Sequence, residues 1–204
     1  MNIAIIGTGN VGGALASAWA TAGHRIYLGV RDTNNFKGAD LLAHQNTTAH
    51  PIPEAVAAAD VVLLAAAPQF TQSIVAAMGD VKGKIIIDAM NSLRSHPEGY
   101  ANSFDALKSL APGAEVVKCF NTTGFENMKD PSYGGEGVDM FVAGSSKRGK
   151  EVAVKLAKDC GFGECWDFGG DDKAGLLEQL AFCWINLAIM QGHGRGMAFK
   201  LVKR

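Results

Sequence analysis

A chain of 204 residues that is 48% hydrophobic and carries a formal charge of −1 has the composition of one globular unit able to bury its own core. No basic block offers a footprint for nucleic acid, and no Lys/Arg-rich amphipathic stretch suits a membrane surface, so the expected partners are small molecules. The longest apolar run, Val61–Pro68, falls short of the roughly 20 residues that cross a bilayer, and no signal-peptide pattern follows Met1, so a cytoplasmic location is expected.

The first apolar run predicts a strand over Asn2–Ile6. Gly7-Thr8-Gly9-Asn10-Val11-Gly12 comes next, and the small residues Gly13, Ala14, Ala16, Ser17 and Ala18 open a helix predicted over Val11–Ala22. A second strand, Arg25–Leu28, closes a βαβ unit of roughly 30 residues, which turns a weak glycine pattern into a specific dinucleotide-binding signature. Gly7 permits the tight turn, Gly9 lets backbone approach a pyrophosphate, and Gly12 lets the helix lie close on the strand. The free N–H groups at the helix start then receive phosphate.

In NAD-binding versions of this unit an acid after the second strand accepts the ribose hydroxyls. Here the strand runs through Gly29 and Val30 into Arg31. A guanidinium grips a 2′-phosphate with a charge-assisted fork, and Thr33 offers a hydroxyl beside it, so NADP(H) is the expected cofactor. Asp32 stands next door as the alternative ribose acid, and Lys37 is a weaker phosphate candidate that reads more readily as a solvated loop charge.

Beyond this unit, strands are predicted at Thr47–Ala49, Val61–Ala65, Lys84–Asp88, Glu115–Phe120, Asp139–Val142 and Glu164–Trp166. Helices are predicted at Pro53–Ala58, Phe70–Met78, Ala101–Leu110, Lys147–Cys160 and Asp172–Gln191. The alternation implies an α/β Rossmann fold, a doubly wound and mostly parallel sheet with a small C-terminal helical part. Residues 1–168 would form the NADP-binding domain and 169–204 a helical segment over the acceptor site or a dimer interface. The glycine-rich stretch 130–137 reads as a surface loop. Cys119, Cys160, Cys165 and Cys183 make no CxxC pair and read as reduced, mostly buried thiols, with no metal site.

In an open parallel sheet, ligands lie beyond the carboxyl ends of the strands. Those ends carry Ala67 and Pro68, then Asn91, then Asn121 and Thr122, and they should flank a nicotinamide. No Ser/His/Asp set, Cys/His pair or carboxylate pair can be assembled from them, so no catalytic side chain is assigned. Hydride transfer needs none: it requires the two reacting carbons held close and oriented. After the last helix, Gly192-His193-Gly194-Arg195-Gly196 reads as a helix cap, with His193 and Arg195 as possible ligand contacts.

IGTGNVGGALASAWATAGH, LGVRD, AAAPQF, VVKCFNTTGFENM and LLEQLAFCWINLAIMQGHGRGMAFKLV, taken in order, resemble the NADP oxidoreductases grouped with the NADPH-dependent reductase of coenzyme F-420, an 8-hydroxy-5-deazaflavin. The resemblance implies hydride transfer between NADP(H) and a deazaflavin or flavin, with cofactor contacts at Thr8, Gly9, Asn10, Val11 and Arg31 and the nicotinamide near Ala67, Pro68, Asn91 and Asn121. Val30 departs from family members that carry a serine there to help hold the 2′-phosphate. VVKCFNTTGFENM is also similar to the NADPH-flavin module of membrane ferric reductases, which keeps a ferric or flavin reductase open as an alternative. A non-catalytic NADP(H)-binding sensor is the reading from another class. The last helix is apolar nearly all round, which implies a homodimer or full burial within one subunit.

Overall fold

The computed structural model describes residues 1–204. In chain order the elements are β1 (Asn2–Ile6), α1 (Asn10–Thr21), β2 (Arg25–Val30), β3 (Thr47–Pro51), α2 (Ile52–Ala58), β4 (Val61–Leu64), α3 (Thr71–Met78), β5 (Ile85–Asp88), α4 (Ser103–Leu110) and β6 (Glu115–Cys119). They continue with α5 (Phe125–Lys129), a small hairpin of β7 (Ser132–Tyr133) and β8 (Glu136–Gly137), β9 (Met140–Ala143), α6 (Lys147–Asp159), β10 (Cys165–Asp167) and α7 (Ala174–Ile185).

Eight strands form one sheet in the order β10-β9-β6-β5-β4-β1-β2-β3. Every pairing in it is parallel except β6 with β9. The chain builds outward from β1 through β2 to β3, then crosses to β4 on the other side of β1. That reversal makes a crevice at the carboxyl ends of β1 and β4, the place where such sheets bind ligands.

The strands alternate between two covered faces, as continuous apolar runs do. On one face Ile3, Ile5, Leu28, Leu63 and Val117 pack under Leu15 and Trp19 of α1 and Leu156 of α6. The Trp19 indole donates to the Leu156 carbonyl at 3.0 Å, which ties the two helices. On the other face Ala4, Val62, Ile86 and Val116 pack under Val56, Ile74, Met78, Phe104 and Leu107 of α2, α3 and α4. The expected α/β architecture is therefore the observed one, and no helix is long and apolar enough to cross a membrane.

Four local features differ from expectation. The loop expected at 130–137 contains the β7/β8 hairpin, and α5 follows β6 where no helix was expected, because five residues are too few to show a helical period. Strand β6 stops at Cys119 since Phe120 takes φ +62°, a conformation costly for a large side chain. The single helix expected over Asp172–Gln191 is a 3₁₀ turn at Asp171–Lys173, then α7, then a π-helical turn at Asn186–Met190.

The last helix is not fully buried either. Trp184 is 3% exposed, but Leu176, Phe182, Ile189 and Met190 are 51%, 42%, 47% and 54% exposed. Complete burial within one subunit is thus overturned, because α7 lies along the edge of the molecule with only one side on the sheet.

Candidate functional site

The glycine loop lies at the β1/β4 crevice. Gly7 has φ +101°, and a Cβ there would stand 2.6 Å from the Ala65 carbonyl, so turn and strand approach demand glycine. A Cβ on Gly12 would lie 1.9 Å from the Gly7 oxygen, which shows how closely α1 sits on the turn. Gly9, by contrast, faces open space, with no atom within 4 Å of where its Cβ would be. Gly9 is the residue before α1, and no side chain caps that helix start. The amides of the first turn are thus left for a ligand. Val11 packs inward on the core, so its contribution to a ligand is its backbone.

Beyond the ends of β1 and β2 opens a cleft of about 660 Å³. Gly7, Arg31, Asp32 and Lys37 line it together with apolar walls from Ile52, Phe70 and Ile74. Apolar walls around two cations suit an adenine ring carrying a phosphorylated ribose. Thr33 does not line this cleft and lies exposed outside it. Asp32 Oδ1 accepts from the Asn34 amide at 2.9 Å, which shapes the turn that presents Arg31. Lys37 is exposed and lines the cleft, where the weaker phosphate candidate was expected. The Thr8 hydroxyl donates to the Lys37 carbonyl and fastens this loop to the glycine turn. Phe70 and Ile74 had no sequence signal because separate elements bring them to the cleft.

Further along the same edge, Ala67 is exposed and Pro68 is buried where it starts a short 3₁₀ turn. Asn91 and Asn121 clasp each other: Asn91 Nδ2 donates to the Asn121 carbonyl at 2.8 Å, and Asn121 Nδ2 donates to Asn91 Oδ1 at 2.9 Å. Asn121 Nδ2 also donates to the Leu177 carbonyl at 3.2 Å, which brings α7 to the strand ends. Thr122 is 2% exposed and its hydroxyl points at Met140 Sδ, 3.7 Å away in the core, so it does not join the pair. Next to Asn91 an apolar groove of about 430 Å³ runs between Leu93, Arg94 and Ser95 on one side and Phe182, Ile185, Ile189 and Met190 on the other.

The tail after α7 closes with capping hydrogen bonds: the His193 amide donates to the Leu187 carbonyl at 3.2 Å, and the Gly194 amide to the Ala188 carbonyl at 3.0 Å. Arg195 grips Glu126 with Nε at 2.6 Å and Nη2 at 3.0 Å and lies over the rings of Phe125 and Trp184. Trp184 Nε1 and Asn127 Nδ2 both donate to the Met197 carbonyl at 2.7 Å. Arg195 is therefore a strap fastening the tail to α5, while His193 is exposed.

The Arg195 guanidinium holds the Glu126 carboxyl below the usual glutamate range. A carboxyl lowered by folding stabilises above its unfolded pKa and loses that contribution as pH falls through the folded value. Glu126→Gln should mimic the acid state at neutral pH, raising trypsin cleavage after Arg195 about severalfold, with global stability changed by less than about 1 kcal/mol because the pair is part-exposed. Mass spectrometry of a cleavage time course, with urea unfolding beside it, checks both halves.

A parallel sheet that reverses at this crevice, an open glycine turn and a two-cation cleft at the end of β2 define an NADP-dependent oxidoreductase on a Rossmann fold. Residues 2–92 match the family described as NADP oxidoreductase coenzyme F420-dependent. It is 29% identical over 212 aligned positions to an F420-dependent NADP reductase of Methanothermobacter thermautotrophicus, covering 93% of this chain and 90% of that protein. A solved structure of a candidate F420-dependent NADP reductase from Arthrobacter sp. FB24 superposes with TM-score 0.87 at 27% identity, and all of both chains is covered. A reductive aminase from Aspergillus terreus shares the fold, with TM-score 0.70 at 19% identity over 94% of this chain and 62% of that one.

Proposed function

We propose that the chain transfers a hydride between NADPH and a deazaflavin or flavin bound in the groove beside Asn91. The observation that carries this reading is the continuity of the edge: the cationic cleft, the open Gly9 turn, the Asn91–Asn121 pair and the apolar groove follow one another along the carboxyl ends of the strands. When bound, the cofactor supplies the hydride at its nicotinamide carbon. Arg31 and Lys37 hold the 2′-phosphate, and Thr8, Gly9 and Asn10 meet the pyrophosphate. Ala67 and Pro68 bound the nicotinamide on one side and the asparagine pair on the other. Phe182, Ile185 and Ile189 cover a planar apolar acceptor and exclude water, while Arg94 at the mouth suits an anionic substituent. Residues 169–204 thus act as the cover of the acceptor site.

Incubation with NADPH and, separately, coenzyme F-420, FMN, FAD, riboflavin and a ferric chelate tests the reading through loss of nicotinamide absorbance. Rapid oxidation with deazaflavin or flavin is expected. Turnover with ferric chelate alone would favour the ferric reductase reading, and tight NADPH binding with no turnover would favour a sensor.

The exposed Leu176 on α7, outside the groove, supports a homodimer built on that helix. Light scattering at micromolar concentration should give twice the chain mass for the wild type. Leu176→Glu, which changes an exposed position outside the groove, should give a single chain mass. Trp184→Glu would instead break the tail strap, since that indole is buried beneath it.

A further inference from the structure

Behind the asparagine pair lies a cluster of charges that none of the contacts above uses. Asp88 closes β5, and Lys118 sits opposite it in register on β6. Lys118 Nζ is 2.9 Å from Asp88 Oδ2, 2.9 Å from the Met90 carbonyl and 2.8 Å from Glu178 Oε1 of α7, the last an ion contact out of line for a hydrogen bond. Asp88 Oδ1 accepts from the Met90 amide at 3.0 Å, and its Oδ2 also accepts from the Ser103 hydroxyl at 2.8 Å. Glu178 Oε2 accepts from the Ser92 amide at 3.1 Å. Asp88 and Lys118 are 0% exposed and Glu178 is 6% exposed.

Three of the four carboxylate oxygens accept hydrogen bonds, the fourth, Glu178 Oε1, meets Lys118 only as an ion contact, and one ammonium answers the two carboxylates. Burial alone would push the Lys118 ammonium down, but the two carboxylates overcome it and hold its pKa above the ordinary lysine range. One negative charge is left over in a dry interior, where it is screened far less than at the surface.

Its place is specific. Met90 and Ser92, which bind the cluster, flank Asn91, and Leu177, which receives Asn121, is the neighbour of Glu178. We propose that this buried surplus charge favours the cationic, oxidised nicotinamide over the neutral reduced one and so strengthens hydride donation by bound NADPH. The inference rests on the reading that sets the nicotinamide beside Asn91 and Asn121. When the hydride leaves carbon 4 with both bonding electrons and passes to the acceptor, the ring gains one positive charge. Asp88 and Glu178 meet that change from behind the amide pair without touching the cofactor, so they are positioning residues.

Glu178→Gln keeps the shape and the acceptor for the Ser92 amide, leaves Lys118 paired with Asp88, and removes the surplus charge. The affinities of NADP⁺, NADPH and 2′,5′-ADP, which has no nicotinamide, are measured by calorimetry for wild type, Glu178→Gln and Asp88→Asn. The ratio Kd(NADP⁺)/Kd(NADPH) should rise about three- to tenfold in each variant while 2′,5′-ADP binds within about twofold of wild type. An unchanged ratio with normal 2′,5′-ADP binding would overturn the tuning role and leave the cluster as a clamp between α7 and the sheet. Should neither variant fold, the wild type decides: tighter binding of NADP⁺ supports the proposal and tighter binding of NADPH overturns it. A wild type that binds 2′,5′-ADP no better than 5′-AMP sinks the NADP reading itself, and the proposal with it.

Discussion

Arg31→Ala is expected to weaken NADPH binding by about 1.5–3 kcal/mol, roughly one to two decades, because charge-assisted hydrogen bonds to phosphate are lost. NADH carries only a neutral hydroxyl at the 2′ position and offers the guanidinium no charge-assisted bond, so its affinity should change by less than about twofold. The preference between the cofactors therefore collapses, whereas overall nucleotide binding survives. Lys37 shares the cleft, so Arg31→Ala keeps part of the phosphate grip and adding Lys37→Ala should remove more. Neither change threatens the fold, since both side chains are exposed. Titrating both nucleotides against wild type and the two variants by intrinsic fluorescence is sufficient. Equal affinities in the wild type, or a preference for NADH, would remove Arg31 from the site.

The place of Arg31 at the cleft was legible in the sequence because its signal is local: a strand, a turn and one residue type in place of another. The same holds for Gly7 and Gly12, whose close contacts with Ala65 and Gly7 are those that the spacing of the glycines demands. The order of β1 to β6 was also legible, because buried parallel strands read as apolar runs between helices. What escaped depends on distant pairings. Asp88 and Lys118 each appear in sequence as a charge at the end of an apolar run, and only the register of β5 with β6 sets them side by side. Glu178 reaches them from a helix near the other end of the chain. Lys37 looked like a solvated loop charge since its loop is held against Thr8, a contact no local pattern announces. Arg195 was read within a helix cap, and its partner Glu126 lies on a helix too short to read. Thr122 shared a strand end with Asn121, but the turn at Phe120 sends the two side chains different ways.

Gly9→Val is expected to abolish measurable binding of both NADPH and NADH while the protein stays folded. The two halves of that expectation have separate causes. Folding should survive because no protein atom lies within 4 Å of the position a Cβ would take, and Gly9 is not among the glycines with positive φ. Binding should fail because the new side chain stands where a pyrophosphate must approach the first amides of α1, and α1 cannot retreat. Its closeness to the sheet is set by Gly12, whose missing Cβ would already overlap the Gly7 carbonyl. The cost is the pyrophosphate's whole set of charge-assisted bonds, each worth about 1.5–3 kcal/mol, which exceeds what the adenosine cleft alone can offset. Gly12→Val is the informative contrast: it should lower stability by at least about 3 kcal/mol, since backbone must shift to admit it. Far-UV circular dichroism, urea unfolding and a nucleotide titration separate the two. A folded Gly9→Val protein that binds NADPH normally would show that the phosphates lie elsewhere, and the reading of the glycine turn as their cradle would fall.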